Sequence, residues 1–218
     1  NLVASLGFKL KENQNPPQTY KAPEIKRKLS PTFPKASNQS YKPEPCLSND
    51  DYEHILDVID NMAHVMERSP SAFIGMDEES LRTHFLVQLN GQYEGQATGE
   101  TFNFNGKTDI LVRSNDKNIF IAECKFWKGE EKYLETIDQI LSYTSWRDTK
   151  VAIIIFNKNK DLSNVIETIR KTTIKHANYK RELTVKNQNE TELRYVFSHR
   201  DDKNREIFLT IKIYDIPQ

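Results

Sequence analysis

The hydrophobic positions after residue 48 repeat every three or four residues in two successive segments, a spacing that places them on one face of a helix. Residues typical of helix starts precede the segments, at 48–51 and at Asp77, and residues typical of helix ends follow them, at 69–70 and 90–91. We therefore predict two amphipathic helices. Their inward-facing residues are Ile55, Ile59, Met62 and Met66 in the first helix, and Leu81, Phe85 and Leu89 in the second.

The period of the pattern changes to two near residue 100, which is typical of strands. The remaining elements are predicted as strands near 100–105, 107–113 and 118–126, a helix over 131–146, an apolar strand at 151–156, a helix near 162–175, and strands near 182–186, 193–198 and 206–214. This order of helices and strands indicates an α/β fold.

The first 48 residues differ from the rest of the chain in composition. They hold seven of the nine prolines, with 8 basic residues against 3 acidic ones. Such a segment buries too little apolar area to offset the entropy of ordering it. We interpret residues 1–48 as a Pro-rich basic arm or linker, with contact to a phosphate backbone as the alternative, and residues 49–218 as one domain.

The net charge of the 218-residue chain is zero, but the charge is unevenly distributed. Residues 50–104 hold 11 acidic and 2 basic residues, whereas residues 157–186 hold 8 basic and 3 acidic ones. A zero average therefore does not exclude a nucleic-acid enzyme, since a local basic surface is sufficient to bind phosphate.

Two further features bear on the location of the protein. The sequence contains no apolar run of about 18 residues and no signal peptide at its start, so we expect no membrane span. The two cysteines, Cys46 and Cys124, make neither a disulfide framework nor a zinc quartet. These observations favour a cytoplasmic protein.

Two carboxylates and one ammonium are predicted to meet on the sheet. Asp109 lies on one strand, and Glu123 and Lys125 share a face of the next strand, because side chains alternate along a strand. Charged residues within apolar strands need partners. Carboxylate oxygens suit Mg²⁺ or Mn²⁺, and such an ion activates a bound water. Lys125 would orient or deprotonate that water.

The acid-x-Lys tripeptide is a weak signal when taken alone. It also occurs at 24–26, 130–132, 148–150 and 201–203. Only 123–125 ends an apolar strand that follows another acid-bearing strand. The alternative for this cluster is a surface salt bridge at a strand end, which contributes little energy.

Residues 77–156 resemble the PD-(D/E)XK nuclease superfamily, which has the restriction-endonuclease-like fold. The resemblance rests on Asp109, on the tripeptide 123–125, and on flanking helices in the expected order. Gln139 and Tyr143 resemble the Gln-x-x-x-Tyr motif of the branch that contains RecB-type nucleases, and Trp146 follows one turn further along. The resemblance implies a three-layer core, in which helices flank a central mixed β-sheet.

The resemblance also implies roles for these residues. Asp109, Glu123 and the backbone carbonyl of Cys124 would hold Mg²⁺ or Mn²⁺. Lys125 would serve the attacking water and the transition state, and Gln139 would position the other groups. Because Cys124 points away from the acids, it is not expected to act as a thiol nucleophile.

An acid on the helix before the sheet completes the metal site in many members of the superfamily. Glu79 falls at that place and is preferred, for a second metal ion or the outer shell of ligands. Glu78 competes with it but aligns with residues predicted to be buried. An ordinary charge in the first turn of a helix is the alternative for both. One departure from the family pattern is Thr108, where proline is common.

Basic and aromatic residues around the site are candidates for binding nucleic acid. Lys107 and Arg82 are predicted near the acids, where each would meet phosphate oxygens or, as the alternative, pair with an acid. Lys128 follows the motif, and Tyr143 lies on the next helix. The aromatic residues of 126–129 either cover the core or stack on a base. The predicted surface for a phosphate backbone lies in 157–186, with a solvated helix as the alternative. Its basic residues are Arg170, Lys171, Lys175, Lys180 and Arg181.

The resemblance favours a Mg²⁺-dependent deoxyribonuclease that acts in restriction, repair or phage defence. Two alternatives stay open: an inactive module of the same fold that binds nucleic acid or protein, and a nuclease that acts on RNA. A homodimer is compatible with this interpretation, as is a fused or separate specificity, sensor or motor domain. The sequence contains no phosphate-binding glycine loop and no histidines at metal-ligand spacing.

Overall fold

A computed structural model describes residues 47–93, 97–98, 101–103, 106–114, 117–184 and 189–216, with only the backbone at 97–98, 101–103, 106–107, 113–114 and 117–119. Almost all of the predicted arm at 1–48 lies outside the described residues. Within them the helices are α1 (Asn49–Arg68), α2 (Glu78–Gln92), α3 (Glu130–Tyr143) and α4 (Leu162–Thr173). The strands are β1 (Ala97–Thr98), β2 (Thr101–Asn103), β3 (Gly106–Thr108), β4 (Ile110–Ser114), β5 (Lys117–Phe126), β6 (Lys150–Asn157), β7 (Tyr179–Glu182), β8 (Glu192–Ser198) and β9 (Glu206–Asp215).

The first two helices begin where capping side chains accept hydrogen bonds from the free N–H groups of the first turn. The Ser48 hydroxyl accepts from the backbone of Asp51, and the Asp77 carboxylate accepts from the backbone of Ser80. Both starts agree with the predictions. Helix α2 ends two residues beyond 90, because Gly91 continues the helix.

Seven of the described strands form one mixed sheet in the order β1-β4-β5-β6-β9-β8-β7, while β2 and β3 form a separate hairpin. Strands β5, β6 and β9 run parallel at the centre, and the outer pairs are antiparallel. Helix α3 connects β5 to β6, so the C-terminal end of β5 leads directly into α3.

Both faces of the sheet are covered. One face packs on α1 and α2 through residues such as Ala122, Cys124 and Ile154. The other packs on α3 and α4 through residues such as Ile121 and Ile153. The predicted three-layer α/β core is therefore confirmed. Glu123 and Lys125 lie on the face that packs on α3, so they also lie on a covered side of the sheet.

Some predicted boundaries are wrong. The helix predicted over 131–146 ends at Tyr143, and Trp146 lies in the following turn, where its indole N–H donates to Asp202. The strand predicted near 182–186 lies at 179–182, and 185–186 fall outside the described residues. Among the helices that the structure describes, none combines the length and apolar character needed to span a membrane.

Candidate active site

The site forms where β4 stops covering the edge of β5. The last paired residues are Ile110 and Ala122, so the backbone N–H groups of Cys124 and Phe126 extend beyond the partner strand. Carboxylates take the place of strand carbonyls there. Asp109 accepts from the Cys124 N–H at 2.9 Å, and Glu78 accepts from the Phe126 N–H at 2.9 Å. Because β4 ends early, one acid that precedes it and one from α2 bind the uncovered edge of β5.

Asp109 is surrounded by donors. Its Oδ2 atom is 3.3 Å from the Lys125 ammonium and accepts from Cys124, while its Oδ1 atom accepts from the Arg82 guanidinium at 3.0 Å. Burial acts to raise the pKa of Asp109, but the Lys125 ammonium and the Cys124 N–H outweigh it and hold this pKa below its ordinary value. Asp109 is therefore ionised at neutral pH.

Glu123 has the opposite electrostatic environment. Its side chain is fully buried, and its Oε1 atom accepts from the Asp109 backbone N–H at 3.3 Å. Burial and then the nearby Asp109 carboxylate raise the pKa of Glu123 to about 8. The two acids therefore favour a cation between or beside them, since adjacent carboxylates repel each other.

Lys125 bridges the two acids. Its ammonium lies 3.2 Å from Glu123 Oε2 and 3.3 Å from Asp109 Oδ2, and about a quarter of its side chain is exposed. Burial acts to lower the pKa of Lys125, but the carboxylates of Glu123 and Asp109 raise it above its ordinary value. The predicted association of two carboxylates and one ammonium is therefore present, with the ammonium reaching toward solvent.

Helix α3 supplies a side chain that contacts Glu123 and a second one that supports the first. The Gln139 amide donates to Glu123 Oε2 at 3.1 Å and to the Tyr143 hydroxyl at 2.7 Å. Tyr143 is buried, so its ring is not displayed to a nucleic acid, and its hydroxyl supports Gln139 instead. The i,i+4 spacing that suggested the motif produces this contact.

The two candidate acids of α2 differ in position. Glu78 reaches the end of β5, whereas Glu79 is 69% exposed and lies 3.9 Å from the Arg82 guanidinium. The geometry favours Glu78, contrary to the preference from the sequence. The inward alignment that counted against Glu78 is what brings it to the strand. A metal-binding role for Glu79 stays a prediction.

Arg82 belongs to the site more closely than the sequence indicated. It is 7% exposed and lies on α2 between Glu79 and Asp109. Helical spacing alone places Arg82 next to the buried Leu81, and only the packing of α2 on the sheet brings it to Asp109. The side chain of Lys107, also predicted to lie here, is outside the described side chains.

The donor set suits a hard divalent ion. Within the part of the chain that the structure describes, no group of three or more His, Cys, Asp and Glu side chains is arranged to hold a metal ion. Asp109 and Glu123 supply two carboxylates, and the Cys124 carbonyl leaves the strand on the same side as the N–H that bonds Asp109. Three hard oxygen donors fit Mg²⁺ or Mn²⁺, provided that water completes the shell.

Cys124 itself has no access to the site. Its side chain is fully buried in the core beneath α1 and α2 and is a free thiol. Burial, followed by the charges of Asp109 and Glu123, raises the pKa of the thiol well above its ordinary value. As expected from strand alternation, Cys124 contributes packing and backbone groups, and its sulfur faces away from the acids.

The basic surface predicted in 157–186 is largely neutralised by acids. All five of its named basic residues lie within 3.7 Å of a carboxylate. Their acidic partners are Glu182 for Arg170, Glu167 for Lys171, Glu130 for Lys175, and Glu206 for both Lys180 and Arg181. Ion pairing lowers the attraction that this surface offers to phosphate, so a backbone-binding role for it stays a prediction.

A cavity of about 190 Å³ opens beside Lys125, between the end of β5 and the first half of α3. Lys128, predicted to bind nucleic acid, lies at this cavity with 65% of its side chain exposed, and its ammonium is 3.6 Å from Glu78. The site therefore continues from the acids into a pocket that solvent can enter.

No protein-family model matches the chain significantly, and comparisons with curated proteins and with solved structures find no significant match either. The resemblance to the PD-(D/E)XK superfamily therefore depends on the residues named above and on their geometry.

Proposed function

We propose that residues 49–218 form a Mg²⁺-dependent nuclease domain of the PD-(D/E)XK type that hydrolyses phosphodiester bonds in DNA. The observation that carries the proposal is the meeting of Asp109, Glu123 and Lys125, with the ammonium 3.2–3.3 Å from both acids. A buried carboxylate such as Glu123 is costly to retain in a sheet without a function or a full set of partners.

The roles follow from the position of each group. Asp109, Glu123 and the Cys124 carbonyl would hold the metal ion, which would supply Lewis-acid activation of water and charge neutralisation at the scissile phosphate. Lys125 presents an ammonium on the solvent side of the acids, where it orients the water or stabilises the developing charge. Gln139 fixes the carboxylate of Glu123 through its amide.

Arg82 and Glu78 shape the surroundings of the acids. Arg82 fixes one oxygen of Asp109, which leaves Oδ2 directed toward Lys125 and the strand edge. Glu78 accepts a hydrogen bond from the Phe126 N–H and so fixes the position of the last residues of β5. Glu79 completes an outer shell of ligands in this proposal. Cutting specificity resides in a fused or separate partner.

The proposal is tested by incubating single-stranded DNA, duplex DNA and a matched RNA with the purified chain in Mg²⁺, Mn²⁺ or EDTA. We expect DNA to be cut only when a metal ion is present. Asp109→Ala and Lys125→Ala should each lower the rate about 10²–10³-fold, because each removes charge stabilisation from the transition state. Lys203→Ala, an exposed lysine outside the site, is the matched control and should cut at the wild-type rate.

Three other outcomes contradict parts of the proposal. Preferential cutting of RNA would overturn the assignment of DNA as the substrate. Cutting that persists in both alanine variants would indicate a contaminating nuclease. Metal-dependent binding of DNA without cutting, in the wild type and in both variants, would favour the inactive binding module.

A further inference from the structure

The cavity beside Lys125 is lined by aromatic, apolar and polar side chains. Among them are the buried Tyr133, Thr136 and Ile155 and the half-buried indole of Trp127. Trp127 packs on Tyr133 with ring centroids 6.0 Å apart. Lys125, Glu78 and Gln139 line the cavity as well, so the pocket adjoins the acids.

The volume limits what this cavity can hold. Pockets for drug-sized ligands measure about 300–1,000 Å³. A cavity of about 190 Å³ therefore suits only a fragment the size of one ring system. The Thr136 hydroxyl donates to the Lys132 carbonyl at 2.9 Å, so its oxygen can still accept a hydrogen bond from a ligand amino group.

The charges at the mouth favour a neutral occupant. Lys128 lies 3.6 Å from Glu78, and Lys132 lies 2.7 Å from Glu135, so both of these lysines face an acid. A phosphate inside the cavity would meet the two carboxylates as well as the ammonium groups. A base is uncharged and has apolar faces and polar edges. These match the aromatic ring of Trp127 and the hydroxyl of Thr136 in the cavity lining.

We propose that this cavity receives one unpaired base of the DNA strand that is cut, next to the phosphate held at Asp109 and Glu123. A base within a duplex has both faces stacked and its edge paired, so it enters only after leaving the helix. The substrate is therefore single-stranded DNA or the unpaired end of a duplex. This inference rests on the proposed nuclease function and specifies its substrate.

Trp127 provides a direct measurement, because the chain has two tryptophans, at 127 and 146. In Trp146→Phe the indole fluorescence comes from Trp127 alone. We expect a single-stranded oligonucleotide in EDTA to quench this fluorescence. Its binding should be about tenfold tighter than that of a blunt duplex or of an abasic strand of equal length, since stacking of one base contributes on this scale.

Trp127→Ala should lose that preference, whereas Trp127→Phe, which retains a ring, should keep most of it. Trp146→Phe is the matched control and should bind as the wild type does. Should Trp127→Ala fail to fold, the quenching in Trp146→Phe and the comparison with abasic DNA still decide the question. Equal binding of the abasic strand, or of the duplex, would overturn the inference.

Binding and cutting separate the two proposals. If single strands quench Trp127 but no DNA is cut in Mg²⁺, the base pocket stands and the nuclease function fails. If duplex DNA is cut while single strands leave the Trp127 fluorescence unchanged, the nuclease function stands and the base pocket fails.

Discussion

Two strands of this sheet carry an acid and a base two residues apart, and the two pairs have different electrostatic environments. Glu123 and Lys125 lie on β5, and Glu192 and Arg194 lie on β8. Both acids are buried. Burial raises the pKa of Glu123 to about 8, whereas for Glu192 the burial effect is outweighed by Lys212 and Arg194, so its pKa is lowered.

The difference lies in where the cations are placed. Lys212 and Arg194 each contact Glu192 directly, one at either carboxylate oxygen. Lys212 is also 2.7 Å from Asp60, and Arg194 forms two hydrogen bonds to Glu53, both on α1. We call this group, Glu53, Asp60, Glu192, Arg194 and Lys212, the β8 ionic cluster. Its most buried acid is its most completely paired one.

At the candidate site the more buried acid is instead the less completely paired one. Glu123, the more buried acid, contacts one ammonium and shares it with Asp109, while Asp109 also contacts the Arg82 guanidinium. A fully paired cluster stabilises the fold, and an incompletely paired one reserves binding energy for a ligand cation. An acid-x-base pattern in a strand therefore does not identify a site by itself. The cationic side chains that contact the acid must be known as well.

The largest effect on stability is expected from Lys212→Met. This change leaves Glu192 and Asp60 buried without their shared cation, which should lower the free energy of unfolding by about 3 kcal/mol. Urea denaturation measures it. Cleavage per folded molecule should not change, because the β8 ionic cluster lies on the α1 side of the sheet. A neutral Lys212→Met would show that this cluster does not stabilise the fold.

Glu123→Gln and Glu192→Gln should have opposite effects on stability in EDTA. The folded-state pKa of Glu123 lies above its ordinary value of 4.5, so wild-type stability falls as pH rises from 4.5 to about 8. Glutamine does not titrate, so Glu123→Gln should be more stable than the wild type by a few kcal/mol at pH 8, since one pKa unit corresponds to about 1.4 kcal/mol, and equal to it near pH 4.

For Glu192 the sign is reversed. Its lowered pKa contributes stability above the ordinary value of 4.5, and this stability is lost as the pH falls below it. Glu192→Gln should therefore be less stable than the wild type at pH 7, with a difference that shrinks in acid. Melting temperatures across pH 4–9 test both variants. Destabilisation by Glu123→Gln at pH 8 would contradict the comparison of the two clusters.

Tyr143→Phe should have a smaller effect, confined to the metal site. The change removes the hydroxyl that holds Gln139, and Gln139 in turn holds Glu123. Loss of such a supporting contact weakens metal affinity about tenfold. The Mg²⁺ concentration at half-maximal cleavage measures it. Tyr52→Phe, which removes a buried hydroxyl on the other face of the sheet, is the matched control and should leave that concentration unchanged.

The smallest effect is expected from Arg181→Ala. The Arg181 guanidinium forms two hydrogen bonds to Glu206, and these bonds hold the pKa of Glu206 down at about 2. Exposed ion pairs contribute little, and a paired arginine offers little to phosphate, so DNA affinity should change less than about twofold. A larger loss of DNA affinity, together with a weaker dependence of binding on salt, would show that the basic surface predicted in 157–186 does bind DNA.

Much of the site was predictable because it depends on local pattern. Alternation along β5 places Glu123 and Lys125 on one face, the antiparallel pairing of β4 with β5 brings Asp109 alongside, and the helix period brings Tyr143 to Gln139. The choice between Glu78 and Glu79 was not predictable in this way. Both lie in the first turn of α2, and the rotation of that helix is set by how Leu81 and Phe85 pack on the sheet.

The sequence by itself determined which segments are helices and strands and which residues share a face, because both periods act over a few residues. Only the tertiary structure decided how the charges are paired. Arg194 meets Glu53 across 141 positions, and Lys212 meets Asp60 across 152. Such contacts depend on the packing of the whole sheet, so the incomplete pairing of Glu123, which defines the candidate site, becomes visible only in the folded domain.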